Sequence, residues 1–465
     1  MADRTPAAWL ELLEHRLHER WNRWSVYDAY YEGDHRFSQW LANVQRAFTG
    51  TVLGNLLSGL TDNYMPLVVD AAAERLRVQG FRFGDDADNE AWDIWQRNGL
   101  DAQANMVHTE AIKLGEAYWM VQPNNGDPII TSEHPSQVIV AHAPGNRRIR
   151  LAALKKWKDD DGLTYANVYL PNAVYKYRSK EEPTQRDRLN WTRIDAGPNP
   201  LGVVPVVPMP NNPSMIRGGK SDLASGATSL QDLIEKTVAD LVIGSEYHGL
   251  PQRVLLGVEA PRDENGRVIP FETAAKSRLW YFNNENAKAH EFSQADLDAL
   301  RKSVDGFIGD LAAQTRIPIY YFRPQAISNI SAEALIGLDA GLVSKTDDKK
   351  DPFGEGHEET MRLAFKAINP DDPRAQATDA ETIWADTESR SQAQVTDAVT
   401  KEVSIGLPFE AALEKLGYSP QAIDRILSQR EADQLLSATL APEQPPTSPQ
   451  PNASTQDQTP SGPSA

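Results

Sequence analysis

The sequence predicts an α+β protein, mainly helical, with 465 residues and room for two or three domains. Three observations carry that expectation. Apolar residues recur at three- and four-residue steps over long stretches toward both ends of the chain. Strand-like alternation is concentrated between Glu116 and Tyr177. The composition, 40% hydrophobic and 24% charged, is that of a chain able to bury a core.

The elements follow in order. Trp9, Leu10, Leu13, Leu17 and Trp21 share one helix face after Pro6, a residue suited to a helix start. Helices are expected over residues 6–46, broken at YYEGDH (Tyr30 to His35). A further helix starts near Pro66, carries Leu67, Val68, Ala71, Ala72 and Leu76, and is expected to end at Gly80 before a short strand. Residues 91–99 and 102–114 read as amphipathic helices. From Glu116 the period becomes two, and further strands are expected over 152–157, 165–170 and 174–177. Asp159-Asp160-Asp161-Gly162 reads as a hairpin turn; a calcium loop would need a downstream Glu and ligand spacing that are missing. The stretch NPLGVVPVVPMPNNP, residues 199–213, reads as a proline-punctuated connector and the first domain boundary.

Two long helices are expected beyond it. One starts at Ser221 or Asp222 and runs to about His248; the other starts at Ser293, paired with Asp296 in a capping-box pattern, and runs past Leu311. Between them, residues 253–256 are strand-like and 278–282 apolar. Residues 323–330 form a polar loop without periodicity. Ser331 then restarts a helix toward Ile368, which Pro352 should kink or break. Short helices fill 387–430, separated at Gly406-Leu407-Pro408 and Gly417-Tyr418-Ser419-Pro420. Residues 434–465 are rich in Pro, Ser, Gln and Thr, and a disordered tail is expected.

The same residues exclude much chemistry. With no cysteine there is no disulfide, thiolate metal site or cysteine nucleophile. No signal peptide and no bilayer-length apolar run is seen. The net charge of −18 is the opposite of a sequence-specific DNA binder's basic face. Gly219-Lys220-Ser221 matches the end of a phosphate loop, but Ser214 stands where its first glycine belongs. His357-Glu358 opens a zinc-protease pattern whose second histidine is replaced by Met361. Asp347, Asp348, Asp351, Glu355 and Glu358 read as a solvated helix face. No Gly-x-Ser-x-Gly elbow occurs, and no Lys/Arg groove accompanies Trp21, Trp24, Tyr27, Tyr30 and Tyr31. The expectation is a structural or binding protein with no catalytic residues, no metal and no cofactor.

Several stretches, in this order, resemble the portal proteins of tailed double-stranded DNA bacteriophages, in the branch common among phages of actinobacteria. They are YYEGDH, NYMPLVVDAAAERLRVQGF, GEAYWMV, VPMPNNP followed by GKSDL, SLQDLIEKTVADLVIGSEYHGLPQR, ISAEAL and DAVTKEVSIGLPFEAALEKLGYSP. The resemblance implies a portal fold with wing (1–215), first stem helix (216–249), clip (250–292), second stem helix (293–316), tunnel loop region (317–330), a long helix (331–370) and crown (371–433). It implies that Arg323, Gln325, Ser328 and Asn329 face the DNA channel. Gly218 and Gly219 would be the hinge into the stem. It further implies a homo-oligomeric ring, typically of twelve subunits, in the virion at the capsid portal vertex after assembly in the host cytoplasm. The implied partners are the terminase large subunit, a head–tail adaptor, major capsid and scaffolding proteins, and double-stranded DNA passing without sequence specificity; no membrane is implied. The alternatives are an acidic cytosolic oligomeric scaffold without a DNA role, and a nucleotide-binding protein.

Overall fold

In the computed structural model, the described residues are 4–35, 46, 62–84, 87–179, 189–215, 218–224, 226–249, 253–256, 265, 279–282, 297–327, 331–388 and 392–440. The chain divides into two compact units, one through Thr396 and one from Asp397.

The first unit opens on α1 (Pro6–Glu32), capped by the Thr5 hydroxyl, which accepts from the Ala8 N–H, and ended by Gly33 at φ 74°. Its apolar face, Trp9, Leu10, Leu13 and Leu17, packs on Ile139, Leu154, Ala166 and Val168 of a five-stranded antiparallel sheet. That sheet is formed by β4 (Val138–Ala143), β5 (Asn146–Lys158), β6 (Thr164–Tyr169), β7 (Ala173–Ser179) and β8 (Thr192–Pro198), each paired to the next. The expected turn joins β5 and β6: the Leu163 N–H donates to the Asp159 carboxylate over 2.7 Å, and Gly162 takes φ 81°.

Helices α2 (Met65–Ala73), α3 (Asn89–Arg97) and α4 (Leu100–Leu114) surround a second sheet, β3 (Ile129–Glu133), β2 (Glu116–Gln122) and β9 (Val206–Pro210), in that order. Two expectations need correcting here. Helix α2 ends at Ala73, and Gly80 lies inside strand β1 (Val78–Phe83). The proline-punctuated stretch contains β9, which pairs with β2 from Met120↔Val206 to Glu116↔Pro210. An edge strand tolerates its two prolines because only one side of it needs donors.

A 3-10 turn (Asp222–Ala224) precedes α5 (Ala227–Gly249), so the long helix starts five residues later than the sequence suggests. Helix α6 spans Leu297–Thr315; the Ser293–Asp296 pair lies outside the described residues. A Cβ at Gly226 would meet Gln314 and one at Gly244 would meet Leu297. The start of each helix therefore lies beside the end of the other, and the two are antiparallel. Between them β10 (Arg253–Leu256) and β11 (Leu279–Phe282) pair in parallel. After the short α7 (Ile319–Phe322) comes α8 (Ala332–Ile368), capped by Ser331, whose hydroxyl accepts from the Ala334 N–H. Pro352 does not break it; 37 residues run through as one helix. The helix is held by its flanks: Leu342, Thr346, Lys349, Phe353, His357, Thr360 and Met361 are fully buried along it. β12 (Ala380–Trp384) then pairs with β1, from Phe83↔Ala380 to Val78↔Trp384. Residues at the start of the expected crown are thus built into the first unit.

The second unit contains most of α9 (Gln392–Ser404), then α10 (Phe409–Lys415) and α11 (Pro420–Leu440), separated by Gly406 at φ 113° and Gly417 at φ 84°. Helix α11 continues seven residues into the expected tail; residues 441–465 lie outside the described ones. No described helix is long and apolar enough to cross a membrane.

The core of the first unit holds an unusual pair. His108 on α4 and His357 on α8 are fully buried, Nε2 to Nε2 at 2.9 Å, among Trp95, Trp119, Phe353 and Trp384. One ring must donate and the other accept, so the acceptor is neutral, and burial opposes charge on either ring. Burial pushes His108 down to about 3 and His357 well below its ordinary value. A histidine depressed in the folded state stabilises above its unfolded pKa of about 6.5 and loses that contribution as the pH falls. At pH 5 the loss is about 2 kcal/mol for His108, and His357 acts in the same direction. Urea midpoints are expected to fall between pH 7 and pH 5, and to fall less in a His108→Leu, His357→Leu double variant. An equal fall in both proteins would contradict this assignment.

Candidate functional site

The site is built around the joint where the chain leaves β9 and enters α5. The last turn of α4 ends at Gly115, at φ 105°, whose carbonyl accepts from the Asn211 N–H over 2.8 Å. The Asn211 carbonyl in turn accepts from the Lys220 N–H over 2.7 Å. Ser221 completes the strap, its hydroxyl donating to the Lys113 carbonyl over 2.6 Å and accepting from the Leu223 N–H over 3.0 Å. Gly219 is therefore pressed against backbone: a Cβ there would lie 1.6 Å from the Gly115 oxygen. Gly218 is different, since the nearest atom to its Cβ position is the mobile end of the Arg147 side chain, 3.1 Å away. Of the two glycines, space requires the second.

This geometry also disposes of the phosphate-loop reading. A phosphate loop needs its backbone N–H groups and its Ser hydroxyl directed at the ligand. Here the Lys220 N–H and Ser221 hydroxyl are already bonded to the protein, and Ser221 is 3% exposed.

Asp222 is not the helix cap the sequence suggests. Its buried carboxylate meets two lysines of α8, Lys349 Nζ at 2.9 Å and Lys345 Nζ at 2.7 Å. The amides of Asn211 and Asn212 also donate to it, at 2.9 and 2.7 Å. Lys349, fully buried, donates in addition to the Asn211 side-chain oxygen over 2.6 Å. Lys345 reaches the Thr315 carbonyl at the end of α6 over 3.0 Å. Burial raises the Asp222 carboxyl, but the charges of Lys349 and Lys345 outweigh it and hold it well below the usual carboxylate range. Burial lowers the Lys349 ammonium, and Asp222 offsets part of that. The cluster ties three elements together: the entry to α5, the end of α6 and the middle of α8.

The loop between α6 and α8 is held at its start and open further on. Arg316 takes a left-handed φ of 58°, and Ile317 and Phe322 are buried. Asp339 on α8 accepts from Arg75 at 3.1 Å and from the Tyr320 hydroxyl, while Arg75 also donates to the Tyr321 hydroxyl over 2.8 Å. Of the four residues expected to face a channel, Arg323 is tied down: its guanidinium lies 3.3 Å from Asp305 on α6 and donates to the Tyr64 hydroxyl over 3.2 Å. Gln325 is exposed. Ser328 and Asn329 lie outside the described residues.

The chain matches the family model described as "Phage portal protein, SPP1 Gp6-like" over residues 10–434. The portal protein of Mycobacterium phage D29 is 30% identical over 380 residues, covering 77% of this chain and 76% of that protein. The portal protein of Mycobacterium phage L5 is 29% identical over 377 residues, with the same coverage. A chain from a solved virion of a native gene transfer agent particle aligns at a TM-score of 0.40 and 11% identity, over 82% of this chain and 94% of that one.

Proposed function

This chain belongs to the SPP1 Gp6-like phage portal protein family, and on that premise we propose that it forms a homo-oligomeric ring, typically of twelve copies, at one capsid vertex. The ring is the conduit for DNA packaging and ejection. It is also the platform on which the terminase large subunit and the head–tail adaptor dock, within a shell of major capsid and scaffolding proteins. The observation that carries the reading is the antiparallel pair α5 and α6, joined through the small β10–β11 segment. Such a hairpin of helices can line a wall, with one face toward a channel and the other toward neighbours. A ring uses two different surfaces of each copy, repeated around an axis.

In this reading residues 1–215 are the wing, α5 and α6 the stem and residues 250–292 the clip. Residues 317–330 are the tunnel loop, with Gln325, Ser328 and Asn329 toward the DNA and Arg323 anchoring its root. Helix α8 leads toward the crown. The division after Thr396 supports starting the crown at Asp397 rather than at residue 371. The excess of acidic side chains suits a conduit, because Lys/Arg contacts to phosphate bind DNA by releasing counterions and would oppose sliding. The role is mechanical, and the ATP that drives packaging is hydrolysed by the docked motor.

End-on averaged electron micrographs of the purified protein should show rings with a central hole, and native mass spectrometry should give one dominant oligomer. A stable monomer or dimer at high concentration would overturn the ring.

A further inference from the structure

A second group of carboxylates lacks, among the described residues, the compensation that Asp222 has. Asp232 and Glu235 lie one turn apart on α5, and His35 reaches them from the chain just beyond α1. One donor atom from each of the three lies within 4.8 Å of the other two. The His35 and Glu235 side chains are 3% and 1% exposed, with Nε2 and Oε2 2.8 Å apart. At Asp222 two lysines face one carboxylate. Here one imidazole faces two carboxylates, and among the described residues no Lys or Arg is ion-paired with either.

Neighbouring side chains bond one oxygen of each carboxylate. The Tyr30 hydroxyl donates to Asp232 Oδ1 over 2.8 Å. Gln231 Nε2 donates to Glu235 Oε1 over 2.8 Å. Gln231 is itself fixed, accepting from the Tyr64 N–H at 3.1 Å and donating to the Asp62 carbonyl at 2.7 Å. The His35 ring stacks on Tyr30, with centroids 4.2 Å apart and planes 11° from parallel. Glu235 Oε2 and His35 Nε2 therefore point at each other, and Asp232 Oδ2 accepts no hydrogen bond among the described residues. Metal ligands are oriented by partners placed in this way.

We infer that His35, Asp232 and Glu235 form a binding site for a divalent transition-metal ion, held through one imidazole nitrogen and two carboxylate oxygens. That donor set suits Zn²⁺ and leaves a fourth position for water. Metal–ligand bonds of about 2.0–2.2 Å put tetrahedral donors about 3.3–3.6 Å apart. The ion therefore replaces the proton between His35 and Glu235, now 2.8 Å apart, and parts them by about 0.5–0.8 Å. It supplies a positive charge that no Lys or Arg among the described residues brings to the two carboxylates. It also staples the chain beyond α1 to α5, whether or not a ring has formed.

The test uses the full chain, stripped with a chelator and titrated with Zn²⁺, or with Co²⁺ as a spectroscopic probe. One equivalent per chain is expected, with the visible absorption of low-coordinate Co²⁺ and a raised melting temperature. His35→Asn and Glu235→Gln should each weaken Zn²⁺ binding beyond the roughly 10–100-fold that losing an outer partner costs. His15→Asn, an exposed control, should leave it unchanged. If the buried variants lose their native circular dichroism, Asp232→Asn at the half-buried position provides the same comparison. Failure of the wild-type chain to bind stoichiometrically, or undiminished binding in the folded variants, overturns the site.

Discussion

Replacing Asp222 by alanine is expected to lower the unfolding free energy by about 3–5 kcal/mol, the usual cost of stranding one partner of a buried ion pair. The reason is the state left behind. Lys349 is fully buried, and with Asp222 gone its remaining polar contacts are the side-chain oxygens of Asn211, at 2.6 Å, and Asn212, at 3.5 Å. An amide oxygen does not balance a buried ammonium. Asp222→Asn keeps the shape and should be nearly as harmful, because it removes the charge and retains the lysines. Lys349→Met should cost less, since Asp222 keeps Lys345 at 2.7 Å. The Asp222→Ala, Lys349→Met double variant should then be less damaged than the sum of its parts, because the two sites share one interaction. Denaturation of all four proteins at one fixed protein concentration, so that assembly is held constant, checks the ordering. A loss below about 1 kcal/mol for Asp222→Ala would contradict it. The pH dependence has a fixed sign. Asp222 is held below its ordinary pKa, so its contribution is present above about pH 4 and is lost as the pH falls further.

Much of this fold was legible in the sequence, and the misses share a cause. The helices at Trp9–Leu17 and after Ser331 were visible because each carries its own apolar stripe and cap. The turn at Asp159 was visible because its hydrogen bonds are local. Strands β9 and β12 were not, because each is defined by a partner elsewhere: β9 pairs with β2, and β12 pairs with β1 some 300 residues away. The joint was misread for the same reason. Nothing within RGGKSDL announces Gly115, Asn211 or Lys349, so a glycine required by close approach read as one providing freedom. A signal for Lys349 and His357 did exist. They continue the three- and four-residue spacing of Leu342, Thr346, Phe353 and Met361, and a polar residue on an apolar stripe calls for a buried partner. The acids around them, Asp347, Asp348 and Asp351, mask that stripe, because in sequence they interrupt it with charge.

Gly219→Ala tests the joint most sharply, because its neighbour Gly218 supplies an internal control. At Gly219 the added methyl falls 1.6 Å from the Gly115 oxygen and 2.9 Å from the Asn211 nitrogen, both backbone atoms. Neither can swing aside as a side chain would. Relief requires the end of α4 and the entry to α5 to separate. That stretches the bonds from Asn211 to Gly115 and from Lys220 to Asn211, and draws Asp222 away from its lysines. Overpacking a well-filled core costs about 1–3 kcal/mol. A backbone collision that also disturbs a buried ion pair should reach or exceed the top of that range. Gly218→Ala meets only side-chain ends, Arg147 at 3.1 Å and Glu116 at 3.7 Å, and should change stability by about 0.5 kcal/mol or less. If the joint were a free hinge, the two substitutions would behave alike. If it is a locked strap, Gly219→Ala should lower the denaturation midpoint, and with it the yield of the proposed ring, while Gly218→Ala leaves both near wild type. Equal tolerance at the two positions would mean that the contact between Gly219 and Gly115 opens readily, and that the joint between β9 and α5 is not held there.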